Sequence, residues 1–141
     1  MKYSASLLLL CMTSLGACSS TPTAPVVPEV AMFGFTNTGL GYELHLTDSR
    51  VKSSIQLIAA ASKVSGDRVI AQFKLFNKDS LGAKMIVATW QWVDSNGMDV
   101  GSGTFSSRPT THSIASQGYL TLTSPAPSTE AVSVSLRLRS N

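Results

Sequence analysis

The chain has 141 residues, of which 13% are charged and 43% hydrophobic, and its formal net charge is +3. This length predicts one domain. The charged fraction lies well below the roughly 25% of an average globular protein, which excludes a long exposed helix, a coiled coil and a highly charged disordered tail. Two cysteines are too few for a mini-protein held together by disulfides.

The first residues have the pattern of a signal peptide. Lys2 supplies a positive charge, and residues 5–15 form an apolar run of 11 residues. A signal-peptide core has about 7–15 residues, whereas a membrane-spanning helix needs about 20. The run ends in Leu15-Gly16-Ala17-Cys18, which resembles the lipobox of bacterial lipoproteins. We therefore predict a signal peptide over residues 1–17, cleavage between Ala17 and Cys18, and lipidation of the Cys18 thiol.

A lipidated Cys18 would attach the protein to a membrane without spanning it, because two or more acyl chains anchor a protein stably. Ser19 follows the cysteine. In enteric-type bacteria an Asp at that position retains lipoproteins in the inner membrane, so its absence predicts the periplasmic face of the outer membrane. The alternative is an ordinary secretory signal peptide with a small-residue cleavage site, which would leave Cys18 as a free thiol.

Residues 18–41 are predicted to form a tether. Pro22, Pro25 and Pro28 recur every three residues, and prolines at this density favour extended polyproline II and disfavour helix and sheet. Once Lys2 is removed with the signal peptide, 10 Lys and Arg face 8 Asp and Glu, so the net charge is +2. Cys18 is then the only cysteine, and the domain over residues 42–141 depends on its hydrophobic core.

The domain has the two-residue period of β-strands. In the last strand we expect Val132, Val134, Leu136 and Leu138 to point inward and Ser133, Ser135, Arg137 and Arg139 outward. Further alternating segments lie at residues 43–48, 54–62, 69–76, 86–93 and 119–123, and Ile55, Leu57 and Ala59 are expected on one face of the second. Turn-forming residues, including Asp94-Ser95-Asn96-Gly97, separate them.

We therefore predict an all-β fold, an immunoglobulin-like antiparallel β-sandwich of about seven strands. No amphipathic run is long enough for a major helix. The segments 98–107 and 129–132 are the candidates for short helical turns.

The segment Trp90-Gln91-Trp92-Val93-Asp94-Ser95-Asn96-Gly97 resembles the aromatic-x-Trp-aromatic-Asp-x-x-Gly core of the YcfL-like family of small periplasmic lipoproteins. The Ser-Pro-Ala-Pro segment at 124–127, the Leu-Arg-Leu-Arg end of the last strand and the lipobox agree with it. Val93 departs from the pattern, since an aromatic residue is common there. The resemblance covers most of residues 42–139. It implies a periplasmic β-sandwich with a link, by gene neighbourhood, to peptidoglycan synthesis, and it assigns no residue a role.

Two groups of side chains have both a structural and a functional interpretation. Trp90 and Trp92 share a strand face, and we expect them to pack in the core, with a stacking platform for a sugar or peptide as the alternative. Asp94 precedes Asn-Gly and is expected to accept hydrogen bonds from the turn backbone, with a catalytic acid as the alternative.

The histidines give little indication of catalysis. His45 and His112 are the only two in the sequence, and a zinc site usually needs three or four ligands. Glu43 shares a strand face with His45, and the pair is too small for a metal site by itself. The Gly-x-Ser-x-Gly motif of a hydrolase is absent from the sequence. We expect no metal, no cofactor and no enzymatic activity.

Arg137 and Arg139, extended by Lys74, form a candidate basic binding surface, which would attract anionic peptidoglycan or lipid headgroups. Its structural interpretation is a solvated face that protects an edge strand. A net charge of +2 argues against nucleic acid as a partner. The leading hypothesis is a binding or accessory module for an envelope protein. The alternatives are a structural subunit of an envelope-spanning machine such as a secretion system, and a small hydrolase.

Overall fold

The structure is a computed structural model that describes residues 38–101 and 108–141. The predicted signal peptide, Cys18 and the tether as far as residue 37 lie outside these ranges. The elements in chain order are β1 (Gly41–Leu46), α1 (Ser49–Ser54), β2 (Ile55–Ser65), β3 (Arg68–Asn77), β4 (Lys84–Val93), β5 (Thr110–Ile114), β6 (Tyr119–Pro125) and β7 (Ser133–Ser140). The described ranges contain no helix long and apolar enough to cross a bilayer.

The strands form two sheets that pack face to face. One has the order β1-β7-β4-β5 and the other the order β2-β3-β6, which confirms the predicted all-β sandwich. One pair differs from the expected antiparallel arrangement, because β1 runs parallel to β7, from Gly41 opposite Ser133 to Leu46 opposite Leu138. Parallel neighbours need a long connection, and here every other strand of the domain lies between the two in sequence.

Alternation along the strands builds the core between the sheets. Val134, Leu136 and Leu138 are fully buried, while Arg137 and Arg139 between and after them are exposed. Val132 is the exception. It precedes the strand, and its side chain is 46% exposed. Its backbone contacts the sheet through hydrogen bonds to Val93 and Gly41.

The two tryptophans are core residues. Trp92 is 0% exposed and Trp90 is 8% exposed. The Trp90 ring meets Phe73 of the opposite sheet edge-on, with 5.5 Å between ring centroids, and the Trp92 indole N–H donates to the Ser124 hydroxyl at 3.2 Å. The packing interpretation is thereby confirmed. The contact between Trp90 and Phe73 joins the two sheets.

A bulge in β2 changes which side chains face the core. The pairing with β3 shifts between Leu57 and Ala59, so that Ala60 lies opposite the buried Phe73 while Ala59 lies opposite Lys74. A bulge inserts one extra residue and reverses the alternation beyond it. The prediction that Ala59 shares the face of Ile55 and Leu57 is therefore wrong.

Two elements differ from the predicted boundaries. The strand predicted at residues 54–62 begins one residue later, because Ser54 is the last residue of α1. Strand β5 was not predicted, because only Ile114 of its five residues is buried and the sequence there does not alternate between polar and apolar residues. Residues 129–132 contain a turn at 129–130 and no helix. Residues 98–101 are not helical either, and Asp99 makes an isolated bridge to Val93 there. The rest of the second predicted helical turn, residues 102–107, lies outside the described ranges.

Asn77 ties one end of the sandwich together. Its side chain is fully buried, and its amide donates to the carbonyl groups of Gly82, Ile114 and Ala115 at 3.1, 3.2 and 3.1 Å. Its oxygen accepts from the Asp79 N–H at 3.0 Å. This one side chain therefore fixes the β3–β4 loop against the end of β5.

Candidate functional site

A cleft of about 1090 Å³ lies between β5 and β6. Each of these strands is the last in its sheet, so each has an edge without a partner strand among residues 38–101 and 108–141. Thr110 and His112 line the cleft from β5, and Thr121 to Pro125 line it from β6. Edge strands present unpaired backbone N–H and C=O groups, so the cleft offers hydrogen-bonding backbone on both sides.

The bottom of the cleft reaches the hydrophobic core. Trp90, Leu122 and Ala126 belong to the core cluster and also line the cleft. An apolar floor with polar groups around it is the usual composition of a binding site. The cleft can therefore accept an apolar side chain from a ligand whose backbone contacts the strand edges.

Charged side chains of both signs surround the opening, and two of the acids are already engaged. Asp94 Oδ1 accepts the N–H groups of Met98 and Asn96 at 2.9 and 2.8 Å, and these hydrogen bonds, Met98's first, lower the pKa of Asp94. Asp99 Oδ1 accepts the Gly101 N–H at 2.9 Å. These contacts confirm the turn role predicted for Asp94. A carboxylate held as an acceptor at lowered pKa is a poor proton donor.

The remaining charges at the opening are Arg68, Arg108 and Glu130. Arg68 lies 3.9 Å from Asp67, a long contact between two exposed groups. Arg108 and Glu130 are exposed and have no ion-pair partner within the described ranges. These three side chains can therefore pair with opposite charges on a bound molecule.

The histidines lie in different places and neither forms a catalytic set in the described ranges. His112 Nε2 lies 2.8 Å from the Thr110 hydroxyl, and no third group is seen to orient the imidazole, as nucleophilic catalysis would need. His45 Nε2 lies 3.0 Å from Glu43 Oε2 on the exposed face of β1. Residues 38–101 and 108–141 contain no group of three or more metal-ligating side chains.

The structure separates the predicted basic residues. Arg137 and Arg139 project from the outer face of the four-stranded sheet, where Arg137 lies between His45 and Thr89 in the pairing register. Lys74 belongs to β3 of the other sheet, with its Nζ 4.9 Å from the centroid of the exposed Tyr119 ring. Lys74 therefore does not extend the arginine surface, because the core separates the two outer faces.

Sequence reasoning singled out Trp90, Asp94 and His112 without predicting that they share a cleft. The missed lining residues lie in turns and at the start of β5, where no alternation marks them. Arg68 directly follows a turn, and Arg108 precedes an edge strand of mostly polar residues. The only local signal was the Ser124–Pro127 break, which indicates the end of β6 but not what lies opposite it.

Comparisons with known proteins support the fold. No protein-family model matches the chain, and no curated protein matches it in sequence. The protein cj0090 of Campylobacter jejuni has a similar crystal structure, with a TM-score of 0.57 and 15% identity over 70% of this chain and 97% of that one. A DUF1425 family member from Shewanella sp. pv-4 has a TM-score of 0.55 and 16% identity over 62% of this chain and 78% of that one. At these identities, what the chain shares with these small bacterial proteins is the β-sandwich fold, which agrees with the fold implied by the YcfL-like resemblance.

Proposed function

We propose that the protein is a lipid-anchored periplasmic lipoprotein of the outer membrane that acts as a binding or accessory module in the cell envelope. The lipobox at Leu15–Cys18 and the proline-rich tether support the anchor. The observation that carries the binding role is the cleft between β5 and β6, whose outer edges carry no partner strand in the described part of the chain, with its apolar floor. The anchor would hold this cleft at the membrane while the tether lets it reach a partner.

The partner that fits the cleft is an extended segment of an envelope protein. Such a segment adds to an exposed strand edge through main-chain hydrogen bonds, and side-chain pockets supply specificity. An apolar side chain of the segment would reach Trp90, while Arg68, Arg108 and Glu130 would pair with charges beside it. Membership of the YcfL-like family would connect this partner with peptidoglycan synthesis, and the Trp90–Gly97 motif supports that membership.

Photo-crosslinking in intact cells tests the proposal. A photoreactive amino acid replaces Arg108, which lines the cleft. In the control, the same photoreactive amino acid replaces Gln91, which is exposed on β4 outside the cleft. We expect one adduct of defined mass from position 108 and none from position 91. The adduct should disappear in the Cys18→Ser variant, because that chain would be neither lipidated nor processed and so would not reach the outer membrane.

Two outcomes would contradict the proposal. Equal adducts from positions 108 and 91, or none from either, would show that the cleft does not bind a partner. A ladder of adducts at multiples of the chain's own mass would instead indicate a structural subunit that assembles with copies of itself.

A further inference from the structure

A second, smaller pocket of about 210 Å³ lies where α1 meets the loop between β3 and β4. It is lined by Arg50, Ser53, Ser54, Lys78, Asp79 and Lys84 and shares no residue with the cleft. The three basic residues come from a helix, a loop and the start of β4, so only the fold brings them together. The volume is several times the roughly 30 Å³ that one water occupies in the liquid, which leaves room for a small polyatomic ion.

The pocket concentrates positive charge. Lys84 Nζ lies 2.7 Å from Asp79 Oδ2, so these two charges balance, and this hydrogen bond is the main reason that the pKa of Asp79 is lowered. Arg50 and Lys78 have no carboxylate within ion-pair distance in the described ranges. The pocket thus carries a net charge of +2, as much as the whole chain without its predicted signal peptide.

The backbone that carries these cations is held firmly. The Lys78 N–H donates to the Ser54 carbonyl at 2.7 Å, which joins the loop to the end of α1. The buried Asn77 side chain holds the neighbouring loop residues Asp79 and Gly82. A fixed backbone keeps Arg50 and Lys78 in the lining of one pocket although their like charges repel, which is the arrangement that binding an anion between them would favour.

The hydroxyl groups in the pocket are not free to donate to an anion. Ser53 and Ser54 both donate to the Arg50 carbonyl, at 3.0 and 2.6 Å. Binding would therefore rest on the Arg50 guanidinium and the Lys78 ammonium. A guanidinium matches two oxygens of a phosphate or carboxylate at once, whereas an ammonium acts as a point charge.

We propose that this pocket binds a phosphate group through Arg50 and Lys78, with the Lys84–Asp79 pair forming its wall. A phosphate monoester carries a charge of about −1.5 to −2 at pH 7 and three strong acceptor oxygens, which balances the +2 of the pocket better than the single charge of a carboxylate or of a phosphate diester does. The group could belong to a soluble phosphate compound or to a phospholipid headgroup. The inference is independent of the partner proposed for the cleft.

Isothermal titration of the mature lipidated chain in neutral detergent at low salt, with inorganic phosphate as the probe, tests this site. We expect saturable binding at one site per chain. Replacing both cations, Arg50→Gln with Lys78→Gln, should weaken binding at least tenfold. The matched control, Arg137→Gln with Arg139→Gln, removes the same charge from the outer sheet face and should change the affinity less than twofold. Both double variants change exposed side chains, and an unaltered melting temperature checks that each is folded.

The outcomes separate a site from a general charge effect. Equal weakening by the two double variants, or no saturable binding by the unmodified chain, would overturn the proposal. Glycerophosphoglycerol, the deacylated headgroup of phosphatidylglycerol, is titrated in parallel. Tighter binding of this diester than of inorganic phosphate, lost in the Arg50–Lys78 variant, would assign the site to a lipid headgroup, and the reverse order would assign it to a soluble phosphate compound.

Discussion

Asp48 accepts a hydrogen bond from the backbone N–H of Ser140, 92 positions further along the chain, at 2.6 Å. Its other carboxylate oxygen accepts the Val51 N–H at 2.9 Å and caps the first turn of α1. Next to it, the backbone and hydroxyl of Thr47 both donate to the Leu138 carbonyl at 2.9 Å. These contacts fasten the beginning of the domain to its last strand, beyond the end of the parallel β1–β7 pair.

Asp48→Ala should lower the melting temperature, because it leaves the N–H groups of Val51 and Ser140 without their acceptor. Thermal unfolding followed by circular dichroism measures the change. Asp67→Ala is the matched control, since the Asp67 carboxylate is exposed and its contact with Arg68 is 3.9 Å long. An equal effect of the two substitutions would show that the capping contacts contribute nothing beyond the loss of a surface charge.

Acid should destabilise the domain through the same carboxylate. The hydrogen bonds from Ser140 and Val51 lower the pKa of Asp48 below its ordinary value of 3.8. The unfolded chain therefore binds the proton more readily, so the stabilisation is present above pH 3.8 and is lost as pH falls through the lower, folded-state pKa. Melting temperatures measured from pH 6 to pH 2 should fall less steeply in Asp48→Asn than in the unmodified protein. Parallel curves would contradict this assignment.

Asn77→Ala should destabilise the domain by about 1–3 kcal/mol, because it removes the partner of the buried Ile114 carbonyl and of three part-buried backbone groups. The amide serves three carbonyl groups and the Asp79 N–H, and the side chain is 0% exposed. Urea unfolding gives the free energy. Asn96→Ala is the control, since Asn96 lies exposed in the turn after β4. A loss of unfolding free energy no larger than that of Asn96→Ala would mean that water takes over the hydrogen bonds of the Asn77 amide.

Trp92→Ala should cost about 3–5 kcal/mol of stability, as expected for a fully buried aromatic side chain. Trp90→Ala should cost a similar amount, because its ring packs against Phe73. Tyr119→Ala is the comparison, since that aromatic side chain is 61% exposed. Urea unfolding of the three variants provides the measurement, and tryptophan variants as stable as the tyrosine variant would contradict the packing role.

Cys18→Ser should abolish incorporation of a radiolabelled fatty acid and leave the precursor unprocessed, because the Cys18 sulfur is the atom that would carry the diacylglyceryl group. Electrophoresis of labelled cells measures both effects. Cys11→Ser, within the predicted signal peptide, should leave labelling and processing unchanged. Normal cleavage of the Cys18→Ser chain would favour the ordinary secretory signal peptide.

Much of the fold is readable locally because a β-strand alternates its side chains between two faces. That period correctly predicted strands at residues 69–76 and 86–93, the buried tryptophans of β4, and the inward-facing side chains of β7 from Val134 to Leu138. It failed at Ala59, where a bulge reverses the alternation, and at β5, whose edge position leaves four of five residues outside the core. Helix α1 is six residues long, too short to show a helical period, and its Asp48 cap was read as the end of a strand.

The sequence by itself determined the strand-rich class, the inward-facing residues of the central strands and the Asp94 turn, since each depends on neighbours within a few positions. Only the tertiary structure decided that β1 runs parallel to β7, that Lys74 and Arg137 lie on opposite outer faces, and that the edges of β5 and β6 border one cleft. These are relationships between segments far apart in the chain. They depend on which strand edges pair and which faces pack together, and a local pattern of polar and apolar residues does not encode that choice.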